Sequence, residues 1–74
     1  MLTRFHFLHE PATLLSALRG DGWDLHSGPG ESVEGMHPEA QDERAVRSRL
    51  DDLGLLTSRS LLIHFDHSRR ASGG

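Results

Sequence analysis

Histidine is the residue type that most strongly suggests chemistry in this chain. Six histidines stand among 74 residues, together with eleven acidic side chains. Neutral imidazoles combined with a carboxylate suit zinc, nickel or copper, and a histidine–aspartate pair can act as a general acid and base. His6, His26 and His64 each alternate with apolar residues in a segment that has the pattern of a strand. Asp66 lies two positions after His64, so it falls on the same side of that segment. The candidate ligand set is therefore His6, His26, His64 and Asp66.

The spacing of these residues carries no metal or catalytic signature. No two histidines have the H-x-x-x-H spacing of a helical metal site, and the absence of cysteine excludes thiolate ligands and disulfides. His6 with Asp66 or Asp24 is the candidate acid–base pair, but no serine lies in a G-x-S-x-G turn. We therefore predict no enzymatic activity and no required cofactor. A divalent metal or small ligand bound by the histidines is the alternative.

Charge and hydropathy exclude two further classes of partner. Eleven acidic residues against eight basic ones give a formal charge of −3, whereas nucleic-acid and anionic-membrane binders normally present a basic face. No segment approaches the roughly 20 apolar residues that a membrane span requires. Every basic residue is arginine, which is typical of a GC-rich bacterial genome. The sequence thus predicts a bacterial, cytoplasmic protein that binds neither nucleic acid nor membrane.

Four segments have the character of strands. Segments 2–9 and 23–26 alternate between apolar and polar residues, the pattern of a half-buried strand. The turn sequence 27–30 separates segment 23–26 from segment 31–36, which is the weakest of the four because Gly35 lies inside it. Segment 60–65 is nearly continuously apolar, and this favours a well-covered central or inner-edge position in the sheet.

Two helices complete the predicted set of elements. The first begins at Glu10 and Pro11, since proline suits the first helical position, and Gly20 caps its end. The second is predicted to begin at residues 37–39 and to end before Gly54. Its core stripe has the helical spacing i, i+4, i+7 and consists of Val46, Leu50 and Leu53.

The resulting order, β-α-β-β-α-β, resembles the ferredoxin-like plan. That resemblance implies an α+β fold in which a four-stranded antiparallel sheet carries two helices on one face. The first and third strands would be central, and the first and last strands adjacent. Residues 1–67 are predicted to form a single domain, and 68–74 a disordered C-terminal tail with nothing to bury.

Strand alternation divides the side chains between the two faces of the sheet. One set is predicted to form the core with the helices: Phe5, Phe7, Leu14, Leu18, Trp23, Leu25, Val46, Leu50, Leu53, Ile63 and Phe65. The opposite set, on an open face, contains the four candidate ligands together with Leu8 and Leu62.

These two leucines favour an interaction surface over a ligand site. A chain of this length buries only about 60% of the surface of its unfolded form, so association would enlarge a thin core. Neighbouring apolar residues on an otherwise polar, solvent-exposed sheet face suggest that a partner covers them. The sequence therefore predicts a small interaction or regulatory module that forms a homodimer through the open face or a strand edge. The alternative partner is a different protein.

Overall fold

A computed structural model of the chain describes residues 1–66, so the predicted tail at 68–74 lies outside the described residues. The elements follow the predicted order: β1 (Leu2–Phe7), α1 (Pro11–Gly20), β2 (Asp24–Ser27), β3 (Val33–Met36), α2 (Glu43–Asp52) and β4 (Leu61–Asp66). The sheet has the order β2-β3-β1-β4, and each neighbouring pair is antiparallel. This is an α+β fold with ferredoxin-like order, as predicted. Within residues 1–66 no helix is long and apolar enough to cross a membrane.

The turns that join the elements are those that the glycines and prolines indicate. Pro11 occupies the first turn of α1, and Gly22 turns the chain toward β2 with a φ of 97°. The β2–β3 hairpin closes where the Gly28 N–H donates to the Ser32 carbonyl over 2.9 Å. The Ser32 hydroxyl donates to the Pro29 carbonyl over 2.6 Å and stabilises the same turn.

The second helix begins later than predicted, at Glu43 instead of 37–39. Asp42 has extended backbone angles, φ −133° and ψ 172°, and its side chain accepts a hydrogen bond from the Ala45 N–H. The preceding residues form a separate turn, in which the Ala40 N–H donates to the His37 carbonyl over 3.1 Å. Asp42 is a better helix start than Pro38 because its carboxylate satisfies one of the free N–H groups of the first turn.

Replacing Asp42 with alanine should lower the free energy of unfolding by about 1 kcal/mol. The reason is the loss of the 2.9 Å hydrogen bond from the Ala45 N–H to Oδ1 of Asp42. Denaturant titration followed by circular dichroism measures this change. Asp52→Ala, at the exposed far end of the same helix, is the control and should leave the free energy of unfolding unchanged. Equal losses in the two variants would contradict the capping role.

The core lies between the helices and one face of the sheet. Its buried apolar members are Phe5, Leu14, Leu18, Trp23, Ala40, Val46, Leu50, Leu55 and Leu61. The predicted register is confirmed, but five predicted core residues are only partly buried: Phe7, Leu25, Leu53, Ile63 and Phe65. Three of these lie on β2 and β4, the edge strands, where no further strand of residues 1–66 covers them. The predicted well-covered position of the last strand is therefore wrong.

Gly35 allows the aromatic core residues to pack against β3. A Cβ atom at this position would lie 2.7 Å from Cδ2 of Leu25, and 3.2 Å from ring atoms of both Phe5 and Trp23. A glycine inside a strand often marks such a close approach to the backbone. The residue that made this strand look weak in the sequence is thus required by the packing above it.

Candidate functional site

The four candidate ligands lie on strand positions of the open face. In the β1–β4 register, Arg4 is opposite His64, His6 is opposite Leu62, and Leu2 is opposite Asp66. On the other side of β1, Glu34 is opposite both Arg4 and His26. One row across the sheet therefore reads His26, Glu34, Arg4, His64. Alternation along the strands predicted the face of each residue, and the register determines the order within the row.

Arg4 and Glu34 occupy the centre of this row and separate the histidines. Nη2 of Arg4 lies 3.1 Å from Oε2 of Glu34 and 3.7 Å from Oδ2 of Asp66. On the far side, Nε2 of His26 lies 3.6 Å from Oε1 of Glu34. The carboxylates are thus already engaged by Arg4 or His26. Within residues 1–66 no three His, Asp or Glu side chains are arranged to hold a metal ion.

The candidate acid–base pairs are also apart. His6 is opposite Leu62, whereas Asp66 is opposite Leu2, four positions away along β1. This separation is about 13 Å along the strand. Asp24 is opposite Met36, at the same distant end of the sheet. Neither carboxylate is within hydrogen-bonding reach of His6, so neither candidate acid–base pair is brought together by the fold.

A cleft of about 320 Å³ is lined by residues of α1, β2 and β3. Its lining consists of Leu15, Arg19, Leu25, His26, Ser27 and Val33. Of the candidate ligands only His26 reaches it. The cleft therefore does not unite the histidines that the sequence singled out.

The exposed large apolar side chains are the second feature of the open face. Leu62 is 60% exposed and Leu8 47% exposed. The Leu8 N–H donates to the Ser60 carbonyl over 2.6 Å, which extends the β1–β4 ladder beyond β1 and makes Leu8 a diagonal neighbour of Leu62. We call this pair the leucine corner. Met36, 46% exposed, lies on β3 at the other end of the face.

His37 forms a cluster that sequence reasoning did not identify. The residue is 5% exposed, and its ring meets the Trp23 ring edge to face with the ring centroids 5.6 Å apart. Its Nδ1 accepts the Glu39 N–H over 3.0 Å, so Nε2 carries the proton and donates to the Asp21 carbonyl over 2.7 Å. The sequence did not indicate these contacts, because the predicted helix start at 37–39 assigned His37 to the end of a helix.

The Asp21 carboxylate completes this cluster. Oδ2 of Asp21 accepts from the Trp23 indole N–H over 3.2 Å and from Nε of Arg49 over 2.8 Å. The contacts join the end of α1, the start of β2 and the last turn of α2. Every polar atom named here has a partner within the chain, so the His37 cluster ties these elements together.

Comparisons of the chain with protein-family models, with curated proteins and with solved structures gave no match.

Proposed function

We propose that this domain is a non-catalytic interaction module that binds a second copy of itself through the leucine corner. The observation that carries the proposal is the exposure of Leu8 and Leu62 at diagonally neighbouring positions of the open face. Single exposed leucines are common on protein surfaces, whereas contiguous ones indicate a site of contact.

The surroundings of the corner have the composition of an interface rim. His6 and His64 flank the two leucines on β1 and β4, and the Arg4–Glu34 ion pair lies beyond them. Interfaces commonly have an apolar centre with polar, partly exposed residues around it. The pairing of Arg4 with Glu34 and Asp66 also leaves those groups less available to a charged ligand. These features favour a protein surface over a metal or small-molecule site.

Exchange of both leucines for glutamate should abolish association. We expect the wild-type protein to sediment as a dimer at micromolar concentration and the Leu8→Glu, Leu62→Glu variant as a monomer, because the added carboxylates would replace the apolar contact with charges that repel one another. Circular dichroism should show that the double variant stays folded, since both side chains lie outside the core. Met36→Glu is the matched control: it places the same charge on a comparably exposed residue away from the corner, and dimerisation should persist.

A wild-type protein that stays monomeric at high concentration would refute self-association. Loss of the dimer in Met36→Glu would move the contact away from the corner. The histidine-ligand alternative has its own test, which is titration of the full chain with zinc alone. Binding of one zinc ion per chain that is lost in His6→Ala or His64→Ala would favour that alternative.

A further inference from the structure

β4 is an edge strand with the composition of an interior one. Its six residues, Leu61–Asp66, include four apolar side chains and no proline or lysine. At the opposite edge, β2 has four residues, Asp24–Ser27, of which only Leu25 is apolar. Short, polar edge strands resist pairing with other chains, whereas long apolar ones invite it. The β4 edge is therefore much better suited than the β2 edge to pair with a strand of another chain.

The β1–β4 ladder shows which backbone groups of β4 face outward. Hydrogen-bonded and non-hydrogen-bonded pairs alternate in an antiparallel ladder. Since the Leu8 N–H donates to the Ser60 carbonyl, the same register makes Leu62, His64 and Asp66 the residues bonded to β1. The intervening residues Leu61, Ile63 and Phe65 direct their N–H and C=O groups outward. Within residues 1–66 no strand pairs with this edge.

We propose that two copies pair through β4, antiparallel, with the two-fold axis at Ile63, so that the two sheets become one continuous sheet. This inference rests on the proposed self-association and specifies its geometry. Two identical edges related by a two-fold axis can only pair antiparallel. Centring the pair at Ile63 is the register in which all three outward-facing residues of β4 find a partner within the strand.

This register is complementary to itself on both faces of the sheet. On the helix side, Ile63 meets the partner's Ile63, and Leu61 meets the partner's Phe65. Covering Ile63 and Phe65 in this way accounts for their incomplete burial within one chain. On the open face, Leu62 stands opposite the partner's His64 and diagonal to the partner's Leu62. The leucine corners of the two copies then form one apolar stripe across the joint.

The experiment uses single cysteines, which report one position each because the chain contains none of its own. In Ile63→Cys the two sulfur-bearing residues would face each other with Cα atoms about 5.5 Å apart, a separation that a disulfide spans. We expect this variant to shift from monomer to covalent dimer on a non-reducing gel after mild oxidation. His26→Cys, on the β2 edge, is the matched control and should stay monomeric. Met36→Cys reports packing of one open face on another.

A second pair of variants keeps the test decisive if Ile63→Cys fails to fold. Leu62→Cys mixed with His64→Cys should give a disulfide between the two different chains, because these positions face each other across the joint. A wild-type dimer in which Met36→Cys cross-links, while neither Ile63→Cys nor the mixture does, would overturn edge pairing and leave self-association intact. A wild-type monomer would instead refute the proposed function itself.

Discussion

Replacing Phe5 with alanine is expected to lower the free energy of unfolding by about 3–5 kcal/mol. Phe5 is fully buried, stacks on Phe7 with ring centroids 6.2 Å apart, and meets the Trp23 ring edge to face at 5.5 Å. It also lies over Gly35, where no side chain is present to fill the space that alanine would leave. A domain of this size has only about 5–10 kcal/mol of stability in total, so roughly half of it would be lost.

Phe65→Ala is the matched control for Phe5→Ala. Phe65 lies on the same face of the sheet but is only partly buried, and the guanidinium of Arg47 covers its ring at 4.7 Å. We expect a loss of about 1–2 kcal/mol, in proportion to the smaller buried area. Both should be measured by denaturant titration in the Leu8→Glu, Leu62→Glu background, because association would add to apparent stability. Equal losses in the two variants would contradict the distinction between central and edge strands.

His37→Ala is expected to lower the free energy of unfolding by about 2–3 kcal/mol, although His37 lies in the loop between β3 and α2. The substitution removes the partner of the Asp21 carbonyl and opens a space beside Trp23. Leaving a buried polar group without a partner costs about 1–3 kcal/mol, and the lost ring contact adds to this. His9→Ala, which changes an exposed histidine, should leave stability unchanged.

The single tryptophan supplies an independent measurement of this cluster. Trp23 contacts the His37 ring directly, and its indole N–H donates to Asp21. Its fluorescence in the folded state should therefore change in His37→Ala and stay constant in His9→Ala. A stable His37→Ala protein with unaltered fluorescence would show that the cluster does not hold the α1–β2 junction to α2.

Much of the local structure was predictable because it depends on neighbours in the sequence. The alternation of Phe5 and Phe7 with Arg4 and His6 indicated the first strand, and Pro11 indicated where α1 begins. The hairpin followed from the glycines and the proline between β2 and β3. The start of α2 was misplaced because Pro38 and Asp42 are both acceptable near a helix start. In the structure Asp42 caps the helix, whereas Pro38 lies in a separate turn next to His37, which packs against Asp21 and Trp23.

The candidate site was likewise predictable only in part. Alternation within each strand, with the apolar side taken as the core side, placed His6, His26, His64 and Asp66 on one face with Leu62, since successive side chains of a strand point to opposite sides. Only the tertiary structure decided their separations. The register places Arg4 and Glu34 between His26 and His64, and the strand order leaves β4 at an edge. Both depend on hydrogen bonds between segments up to 64 residues apart, and a pattern within one segment contains no information about its neighbour.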